Sequence, residues 1–415
     1  MSGDAPHVVI VGAGQAGLQA AETLRSAGFD GRVTLIGDEP HPPYQRPPLS
    51  KAWLTGGIDG GQLTLRDPGA LARKDITLRT GARVVALDSA ARQLHLSDGT
   101  RLGYTGLVLA TGATPRTLPG SIAANGAVRV LRSRDDASAI AQSLQRCRDD
   151  GLPLVVIGGG FIGLEVAASA RKLGIDVTIL EAAPRLLERA LPAELSAWYA
   201  NLHRTRGADL VLGARIARID GAADGRATVH LADGRTLHAG LVVAGIGVTP
   251  NDALARAAGI ACDNGIIVDD CGRTSAPNIT AAGDCTVRRL PDGGTVRLES
   301  VQNAIEQGRA AAHALLGEAR PFAATPWFWS DQYDIKLQIA GLSRGADNRA
   351  VRGDMTDTSF SIFHYRGTQL IAVDSINSAR DHMLSRQLIA AGISPTHAQI
   401  ADLAFNLASL RPKAM

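Results

Sequence analysis

Residues 8–17 read VVIVGAGQAG and residues 155–163 read VVIGGGFIG, so one pattern occurs twice in the chain. In both stretches an apolar run leads directly into glycines with the spacing G-x-G-x-x-G. In this spacing the first glycine permits a tight turn, the second lets the backbone approach a pyrophosphate, and the third lets a helix pack closely on a strand. The two stretches therefore predict two dinucleotide-binding βαβ units.

The residues that follow each glycine-rich turn support this prediction. Small and apolar residues at 18–27 and 164–173 predict a helix, and apolar runs at 33–36 and 177–180 predict a second strand. The N-terminus of each helix would offer free N–H groups and a positive dipole end to a phosphate. One such turn is a weak signal, because glycine-rich turns also occur for structural reasons, but two copies in the full strand–turn–helix–strand context are a strong one.

Acidic residues after the second strands distinguish the two units. Glu181 ends an apolar strand, where a carboxylate accepts a hydrogen bond from a ribose 2′-hydroxyl and repels a 2′-phosphate. Since the nearest cation in the sequence is Arg185, this position favours NADH over NADPH. In the first unit Asp38 is the better candidate for the ribose, with Glu39 behind it. The chain is therefore compatible with two different dinucleotides, FAD on the first unit and NADH on the second.

Composition limits the classes of protein to which the chain can belong. Its 415 residues predict two or three domains, and 45% hydrophobic with 20% charged residues is ordinary for a folded protein. The net charge of +3 is too small to indicate nucleic-acid binding. No two of the four cysteines have the C-x-x-C spacing, so a redox disulfide and a metal site are not expected. The apolar N-terminal run reads as a strand rather than a signal peptide, and no apolar stretch reaches about 18 residues, which predicts a cytoplasmic protein without a membrane span.

Further apolar strands end in glycine at 107–112, 241–247 and 279–283. The last of them is followed by Asp284, whose carboxylate could reach a ribityl hydroxyl. Taken in this order, the motifs resemble those of flavoproteins with the glutathione-reductase-type fold, and within that group those of the NADH-dependent ferredoxin reductases. The segments that carry the resemblance are RPPLSK at 46–51, GGGFIGLE at 158–165, RLESVQNA at 297–304 and PWFWSDQ at 326–332.

The resemblance extends from Val8 to about Arg386 and implies an α/β fold with two Rossmann-like domains and a C-terminal α+β domain. The expected FAD-binding domain is discontinuous, at 1–112 and 246–325. The expected NADH-binding domain lies between these segments, at 113–245, and the C-terminal domain covers 326–415. In that last domain the sequence predicts a β-hairpin around the glycine turn at 366–368 and helices at 382–391 and 395–408.

The resemblance also implies two sets of cofactor-binding residues and no metal ligands. Those expected to bind FAD are Gly12, Gly14, Ala16, Asp38, Arg46, Lys51, Val84, Arg132, Asp284 and Val301. Those expected to bind NADH are Gly158, Gly160, Ile162, Gly163, Glu181, Gly245 and Ile246.

Three residues are implied to act at the flavin itself. Lys51 would place its ammonium near flavin N5 and pair with Glu165, since reduced flavin is anionic and a nearby cation stabilises that charge. Trp329 would pack on the dimethylbenzene edge, from which an electron leaves. The alternative for this region is that Trp327 and Trp329 are both simple core residues.

The absence of certain cysteines narrows the function. A disulfide reductase of this fold needs a cysteine pair early in the FAD domain, and an NADH oxidase or peroxidase needs one redox cysteine there. Residues 46–51 contain neither. The resemblance, with these two classes excluded, implies an FAD-dependent NADH:ferredoxin oxidoreductase.

The expected partner is a [2Fe–2S] ferredoxin that serves a cytochrome P-450 monooxygenase or an aromatic-ring dioxygenase. Arg309 and Arg386 are the candidates for docking an acidic ferredoxin, and the alternative is that both are ordinary solvated helix arginines. The other candidate function is that of an NADH-sensing flavoprotein resembling apoptosis-inducing factor, which shares the Lys–Glu pair at the flavin.

Overall fold

The computed structural model of the chain describes residues 5–123, 126–290 and 293–411. The first of these segments contains the first glycine-rich turn and most of the strands around it. Its elements are β1 His7–Val11, α1 Gln15–Ser26, β2 Arg32–Ile36, a 3₁₀ turn Pro47–Ser50, α2 Gly60–Leu63, α3 Pro68–Ala72, β3 Ile76–Arg79, β4 Val84–Asp88, β5 Gln93–Leu96, β6 Arg101–Gly103, β7 Gly106–Leu109 and β8 Ala113–Pro115.

The next part of the chain repeats this arrangement around the second glycine-rich turn. Its elements are β9 Arg129–Val130, α4 Arg134–Asp150, β10 Leu154–Ile157, α5 Phe161–Lys172, β11 Val177–Glu181, α6 Ala193–Thr205, β12 Ala208–Leu212, β13 Ile216–Gly221, β14 Ala227–Leu231, β15 Thr236–Ala239 and β16 Leu241–Ala244.

The rest of the chain returns to the first unit and then forms a separate sheet. The returning elements are β17 Val248–Pro250, α7 Ala253–Ala257, β18 Ile266–Val268, β19 Ile279–Ala281, β20 Thr286–Arg289, β21 Thr295–Val296 and α8 Val301–Leu315. The C-terminal elements are β22 Trp327–Gln332, β23 Ile335–Gly341, β24 Asn348–Gly353, β25 Phe360–Arg366, β26 Gln369–Ile376, α9 Ala379–Ala390, α10 His397–Ala401 and a 3₁₀ turn Leu407–Leu410.

Two parallel five-stranded sheets form the centres of the two units. Their strand orders are β19-β7-β1-β2-β3 and β12-β11-β10-β16-β9, so the strand before each glycine-rich turn is the middle strand of its sheet. Both middle strands are fully buried, which explains why they read as continuous apolar runs rather than alternating ones. Each unit also carries a three-stranded antiparallel sheet, β4-β5-β6 or β13-β14-β15. The predicted architecture of two Rossmann-like units is confirmed.

The chain passes between the two units at a short antiparallel ribbon. Strands β8 and β17 pair there, and the side chains of Thr111 and Asn251 each donate to the other residue's backbone carbonyl, at 2.6 and 2.9 Å. The boundaries predicted for the NADH-binding domain lie beside this ribbon. The division into an FAD-binding and an NADH-binding domain stays a prediction.

The C-terminal domain is an antiparallel sheet with the order β22-β23-β26-β25-β24, against which α9 packs. It contains the predicted hairpin, formed by β25 and β26. The prediction of one helix over 395–408 is wrong, because the structure has only α10 and a 3₁₀ turn there. Arg352 explains the difference, since its guanidinium donates to the backbone carbonyls of Ile400, Asp402, Leu403 and Phe405 and so holds them out of a helical ladder.

Helices α1 and α8 cross closely in the first unit. A Cβ on Gly308 would lie 2.6 Å from the carbonyl oxygen of Ala16 and 3.1 Å from the Cβ of Gln19. The absence of a side chain at Gly308 thus allows α8 to approach the first turns of α1, beside the glycine-rich loop.

We expect Gly308→Ala to lower the free energy of unfolding by about 1–3 kcal/mol, because the added methyl forces the two helices apart. The steric cost of the methyl group should therefore be larger than the roughly 1 kcal/mol by which alanine stabilises a helix relative to glycine. Gly103→Ala is the matched control, since a Cβ on Gly103 would meet no atom within 4 Å. Urea unfolding followed by circular dichroism measures both variants. Equal stabilities would show that the helix crossing tolerates a side chain.

Candidate functional site

The first glycine-rich turn has the geometry of a phosphate cradle. Gly12 has φ +114°, a conformation that other residues rarely adopt, and a Cβ there would lie 2.0 Å from the carbonyl oxygen of Ala110. Gly14 precedes α1, and a Cβ on it would meet nothing within 4 Å. Open space therefore lies beside the free N–H groups at the start of α1, where Ala16 is in the first turn.

The second turn repeats this geometry. Gly158 has φ +104°, and its Cβ would lie 2.5 Å from the carbonyl oxygen of Gly245. Gly160 precedes α5, and Gly163, in its first turn, lies against the backbone of Gly245. Both turns therefore leave the N-terminus of a twelve-residue helix open.

Two isoleucines lie at the second turn. Ile162 is 45% exposed although it is large and apolar, and it lies in the first turn of α5. Ile246 is half-buried, and its Cγ2 would lie 3.3 Å from a Cβ on Gly158. An exposed apolar side chain beside an open helix N-terminus fits a bound nucleotide that covers it.

The glycine-rich loop itself orients Glu181 at the end of β11. One carboxylate oxygen accepts a hydrogen bond from the backbone N–H of Gly159 at 2.5 Å, and the other accepts one from Ala183 at 2.6 Å. The carboxylate is thereby fixed between the strand end and the turn. Each oxygen retains a lone pair that can accept from a hydroxyl.

At the corresponding place in the first unit, two neighbouring acidic residues differ in burial and in hydrogen bonding. Asp38 is exposed, whereas Glu39 is partly buried and accepts hydrogen bonds from Arg46, at 2.6 Å, and from the Tyr44 hydroxyl. Burial raises the pKa of Tyr44, so its hydroxyl stays protonated and donates. The sequence reasoning missed Tyr44, and it named Glu39 only as standing behind Asp38.

Arg46 links these residues to other predicted FAD residues. Its guanidinium donates to the backbone carbonyl of Arg132 at 2.6 Å, and Arg132 in turn forms an ion pair with Asp284 at 3.1 Å. Val84 begins β4 at a β-bulge, close to where the backbone of Gly81 bonds to Glu39. Val301 is the first residue of α8, so its N–H has no acceptor within the helix.

A buried carboxylate lies where the two units and the C-terminal sheet meet. Glu165 is only 3% exposed, and Lys51 Nζ lies 2.6 Å from one of its oxygens. That oxygen also accepts from the hydroxyl of Ser50 at 2.5 Å, and the other accepts from Ser330 at 2.7 Å. The sequence reasoning missed both serines, although both belong to segments that it had singled out.

Trp329 lies in a group of aromatic and basic side chains on the C-terminal domain. Its ring centroid is 5.3 Å from that of Trp327, and both rings are half-buried. The Arg386 guanidinium lies 4.9 Å from the centroid of Trp327. Arg309 Nη1 is 3.2 Å from Glu306. Burial lowers the pKa of Arg386 and the Glu306 carboxylate opposes this, so the two predicted docking arginines lie around one acid.

The described cysteines do not form a redox site. Cys285 is fully buried, and burial raises the pKa of its thiol, which keeps it protonated and unreactive. All four cysteines are free thiols. Across residues 5–123, 126–290 and 293–411, no cluster of three or more His, Cys, Asp and Glu side chains could hold a metal ion. No helix in the same residues has the length and hydropathy needed to span a membrane.

These residues fit two bound dinucleotides. Each glycine-rich turn leaves space beside a helix N-terminus for a pyrophosphate, and each is followed by a carboxylate at a strand end for a ribose. Lys51 of the first unit forms an ion pair with the buried Glu165 of the second, so this pair lies between the two units.

Comparison with known proteins agrees with this geometry. The pyridine nucleotide-disulphide oxidoreductase family matches residues 6–308, and the reductase C-terminal family matches residues 327–411. The chain is 47% identical over 402 residues to rhodocoxin reductase of Rhodococcus erythropolis, covering 96% of this chain and 93% of that protein. It is 43% identical over 396 residues to the ferredoxin–NAD(+) reductase component of the anthranilate 1,2-dioxygenase system of Burkholderia cepacia, covering 95% and 96%.

A solved structure is similarly close. The chain superimposes with a TM-score of 0.91 and 41% identity on the crystal structure of a covalent putidaredoxin reductase–putidaredoxin complex, covering 98% of each chain. The fold, the two nucleotide-binding turns and the relatives lead to one conclusion: the chain belongs to the pyridine nucleotide-disulphide oxidoreductase family and also carries a domain of the reductase C-terminal family.

Proposed function

We propose that the chain is an FAD-dependent NADH:ferredoxin oxidoreductase whose acceptor is a [2Fe–2S] ferredoxin serving a cytochrome P-450 monooxygenase or an aromatic-ring dioxygenase. The observation that carries the proposal is the ion pair between Lys51, in the cysteine-free segment 46–51 of the first unit, and the buried Glu165 near the start of α5 in the second unit. The relatives named above, a rhodocoxin reductase and a dioxygenase reductase component, support it. We place the protein in the cytoplasm.

When bound, FAD would supply the capacity to accept two electrons together from NADH and to release them one at a time, as a one-electron acceptor requires. The protein contributes position and charge. The ammonium of Lys51 would lie at the flavin, and Glu165 would keep it in position, since two serine hydroxyls and Lys51 itself fix the Glu165 carboxylate. Asp284 and Arg132, paired at 3.1 Å, would hold the ribityl and pyrophosphate part of FAD.

The NADH side depends on the second turn. Glu181 accepts from the adenosine ribose, and the open start of α5 receives the pyrophosphate. Gly245 and Ile246 lie toward the nicotinamide end. On the other side, Trp329 would cover the dimethylbenzene edge of the flavin, and Arg309 and Arg386 would form the docking surface for the ferredoxin.

The experiment that tests this function is reduction of cytochrome c linked through a purified [2Fe–2S] ferredoxin, with NADH as donor. We expect turnover that depends on the ferredoxin. Rapid flavin reduction by NADH with slow turnover on every iron–sulfur acceptor would instead favour the other candidate, an NADH-sensing flavoprotein resembling apoptosis-inducing factor.

The carboxylate of Glu181 predicts a strong coenzyme preference. We expect kcat/KM to be at least ~100-fold higher with NADH than with NADPH, because the carboxylate repels the 2′-phosphate. Glu181→Ala should remove most of this difference, because it weakens the binding of NADH and removes the charge that repels the 2′-phosphate of NADPH. Glu188→Ala, at an exposed acid seven positions further on, is the control. Steady-state kinetics with both coenzymes decide the matter, and equal efficiencies for the wild-type protein would contradict the role of Glu181.

The cation of Lys51 predicts the redox behaviour of the flavin. We expect Lys51→Met to lower the flavin's reduction potential, because the reduced anion loses between about 1 and 4 kcal/mol of attraction to the ammonium. FAD should stay bound, since Arg132 and Asp284 remain. Lys74→Met is the matched control, because Lys74 also pairs with a glutamate, Glu22, but at the surface. Spectroscopic redox titration measures both, and an unchanged potential in Lys51→Met would place Lys51 away from the flavin.

The two arginines predict how the ferredoxin docks. Arg309→Glu and Arg386→Glu should each slow ferredoxin reduction and weaken its dependence on salt, because an acidic partner loses a steering charge. Flavin reduction by NADH should not change. Arg235→Glu, at an exposed turn of the NADH-binding unit, is the control. Stopped-flow flavin reduction and ferredoxin-linked cytochrome c reduction over a salt series are the measurements. Wild-type ferredoxin rates in both variants at low salt would show that this surface is wrong.

A further inference from the structure

A line of buried polar side chains extends from Glu165 away from Lys51. Ser330 donates to Glu165 at 2.7 Å, and the amide nitrogen of Gln332 donates to the hydroxyl of Ser330 at 3.2 Å. The amide oxygen of Gln332 lies 2.9 Å from Nε2 of His203, and Nδ1 of His203 lies 3.1 Å from the hydroxyl of Tyr333. Ser330, Gln332 and His203 are completely buried.

The geometry gives every hydrogen bond in this line one direction. Burial lowers the pKa of His203 to about 4, so the imidazole is neutral at pH 7 and carries one N–H. That N–H is on Nε2, because Nε2 faces a carbonyl oxygen while Nδ1 faces a hydroxyl that can donate. With its oxygen engaged by His203, the amide of Gln332 must point its N–H₂ at Ser330. Ser330 then accepts from Gln332 and has its own O–H left for Glu165.

The opposite arrangement would change the site. If the nitrogen of His203 facing Gln332 carried no hydrogen, the amide of Gln332 would turn and present its oxygen to Ser330. The single O–H of Ser330 would then face two acceptors, the Gln332 amide oxygen and the Glu165 carboxylate. When it donates to Gln332, Glu165 loses this hydrogen bond. A carboxylate that is 3% exposed has little water with which to replace it.

We propose that His203 and Gln332 are positioning residues for the proposed flavin chemistry: the N–H of His203 sets the orientation of Gln332, which directs the Ser330 hydroxyl to Glu165 and so holds Lys51 at the flavin. The inference rests on the proposed function. His203 lies on α6 of the NADH-binding unit, whereas Ser330 and Gln332 lie on β22 of the C-terminal domain. The line therefore also makes the geometry at Lys51 depend on how these two parts are docked.

Four variants of the holoenzyme test the proposal. Ser330→Ala and His203→Leu should each slow flavin reduction by NADH roughly tenfold, the scale of one lost hydrogen bond to a charged group, and each should lower the flavin potential. His203→Gln should stay within about twofold of the wild type, since its amide can donate to Gln332 and accept from Tyr333. The double variant Ser330→Ala/His203→Leu should be no slower than Ser330→Ala, because His203 acts through Ser330.

Tyr199→Phe is the matched control. Tyr199 lies one helical turn before His203 on α6, is equally buried, and has a hydroxyl for which the described residues provide no hydrogen-bond partner. It should leave both the rate and the potential unchanged. If the effect of His203→Leu came only from a general loosening of α6, Tyr199→Phe and His203→Gln should also slow flavin reduction. In that case the flavin potential of His203→Leu should not change.

The inference is overturned if folded His203→Leu keeps the wild-type rate and potential, if His203→Gln is as slow as His203→Leu, or if the losses in the double variant multiply. If His203→Leu does not fold, Gln332→Met replaces it, because this variant removes the hydrogen bonds of Gln332 to Ser330 and His203. It must then show the same decreases in the rate of flavin reduction and in the flavin potential. Nitrogen-15 NMR of the histidine-labelled holoenzyme must also find the proton of His203 on Nε2. All of these measurements omit ferredoxin, so a wild-type protein that fails only with ferredoxin contradicts the proposed function and not this inference.

Discussion

The buried carboxylate of Glu165 is the constraint on which the arrangement of the three parts of the molecule depends. A charge taken out of water costs several kcal/mol unless ion pairs and hydrogen bonds replace its hydration. Here Ser50 and Lys51 come from the first unit and Ser330 from the C-terminal sheet, while Glu165 itself belongs to the second unit. No single segment supplies these partners, so the charge is stabilised only when all three parts are docked.

An apolar core at the same junction supplies the free energy for that docking. Leu49 of the first unit, Leu164 of the second and Leu337 of the C-terminal sheet belong to one buried cluster. Apolar contacts of this kind favour close association but tolerate small changes of orientation. The hydrogen bonds of Glu165 have fixed distances and directions, and they restrict the orientation that the core alone leaves open. The core and the carboxylate thus have separate roles at one place.

The sequence could predict what depends on regular spacing and could not predict what depends on folding distant segments together. The two glycine-rich turns were evident because each lies within one βαβ unit, and the family segments pointed to Lys51 and Glu165. Ser330 lies in the family segment 326–332, but nothing in the sequence connects it to Glu165, which is 165 positions away. His203 gave no signal, since it is a single polar residue 129 positions from Gln332. The prediction of one helix over 395–408 was wrong for the same reason. Arg352, about 50 positions earlier in the chain, donates hydrogen bonds to the backbone carbonyls of Asp402 and Leu403.

Strand β22 shows how one short segment can serve both sides of the molecule. Side chains alternate along a strand, so Phe328 and Ser330 face one way and Trp327 and Trp329 the other. The first pair contacts Phe161 and Glu165 of the second unit, with ring centroids 4.6 Å apart for the two phenylalanines. The second pair lies with Arg386 on the proposed ferredoxin surface. Because both faces share one backbone, a shift of the strand that disturbed the hydrogen bond of Ser330 to Glu165 would also move Trp329, so the junction with the second unit and the proposed ferredoxin surface depend on the position of one strand.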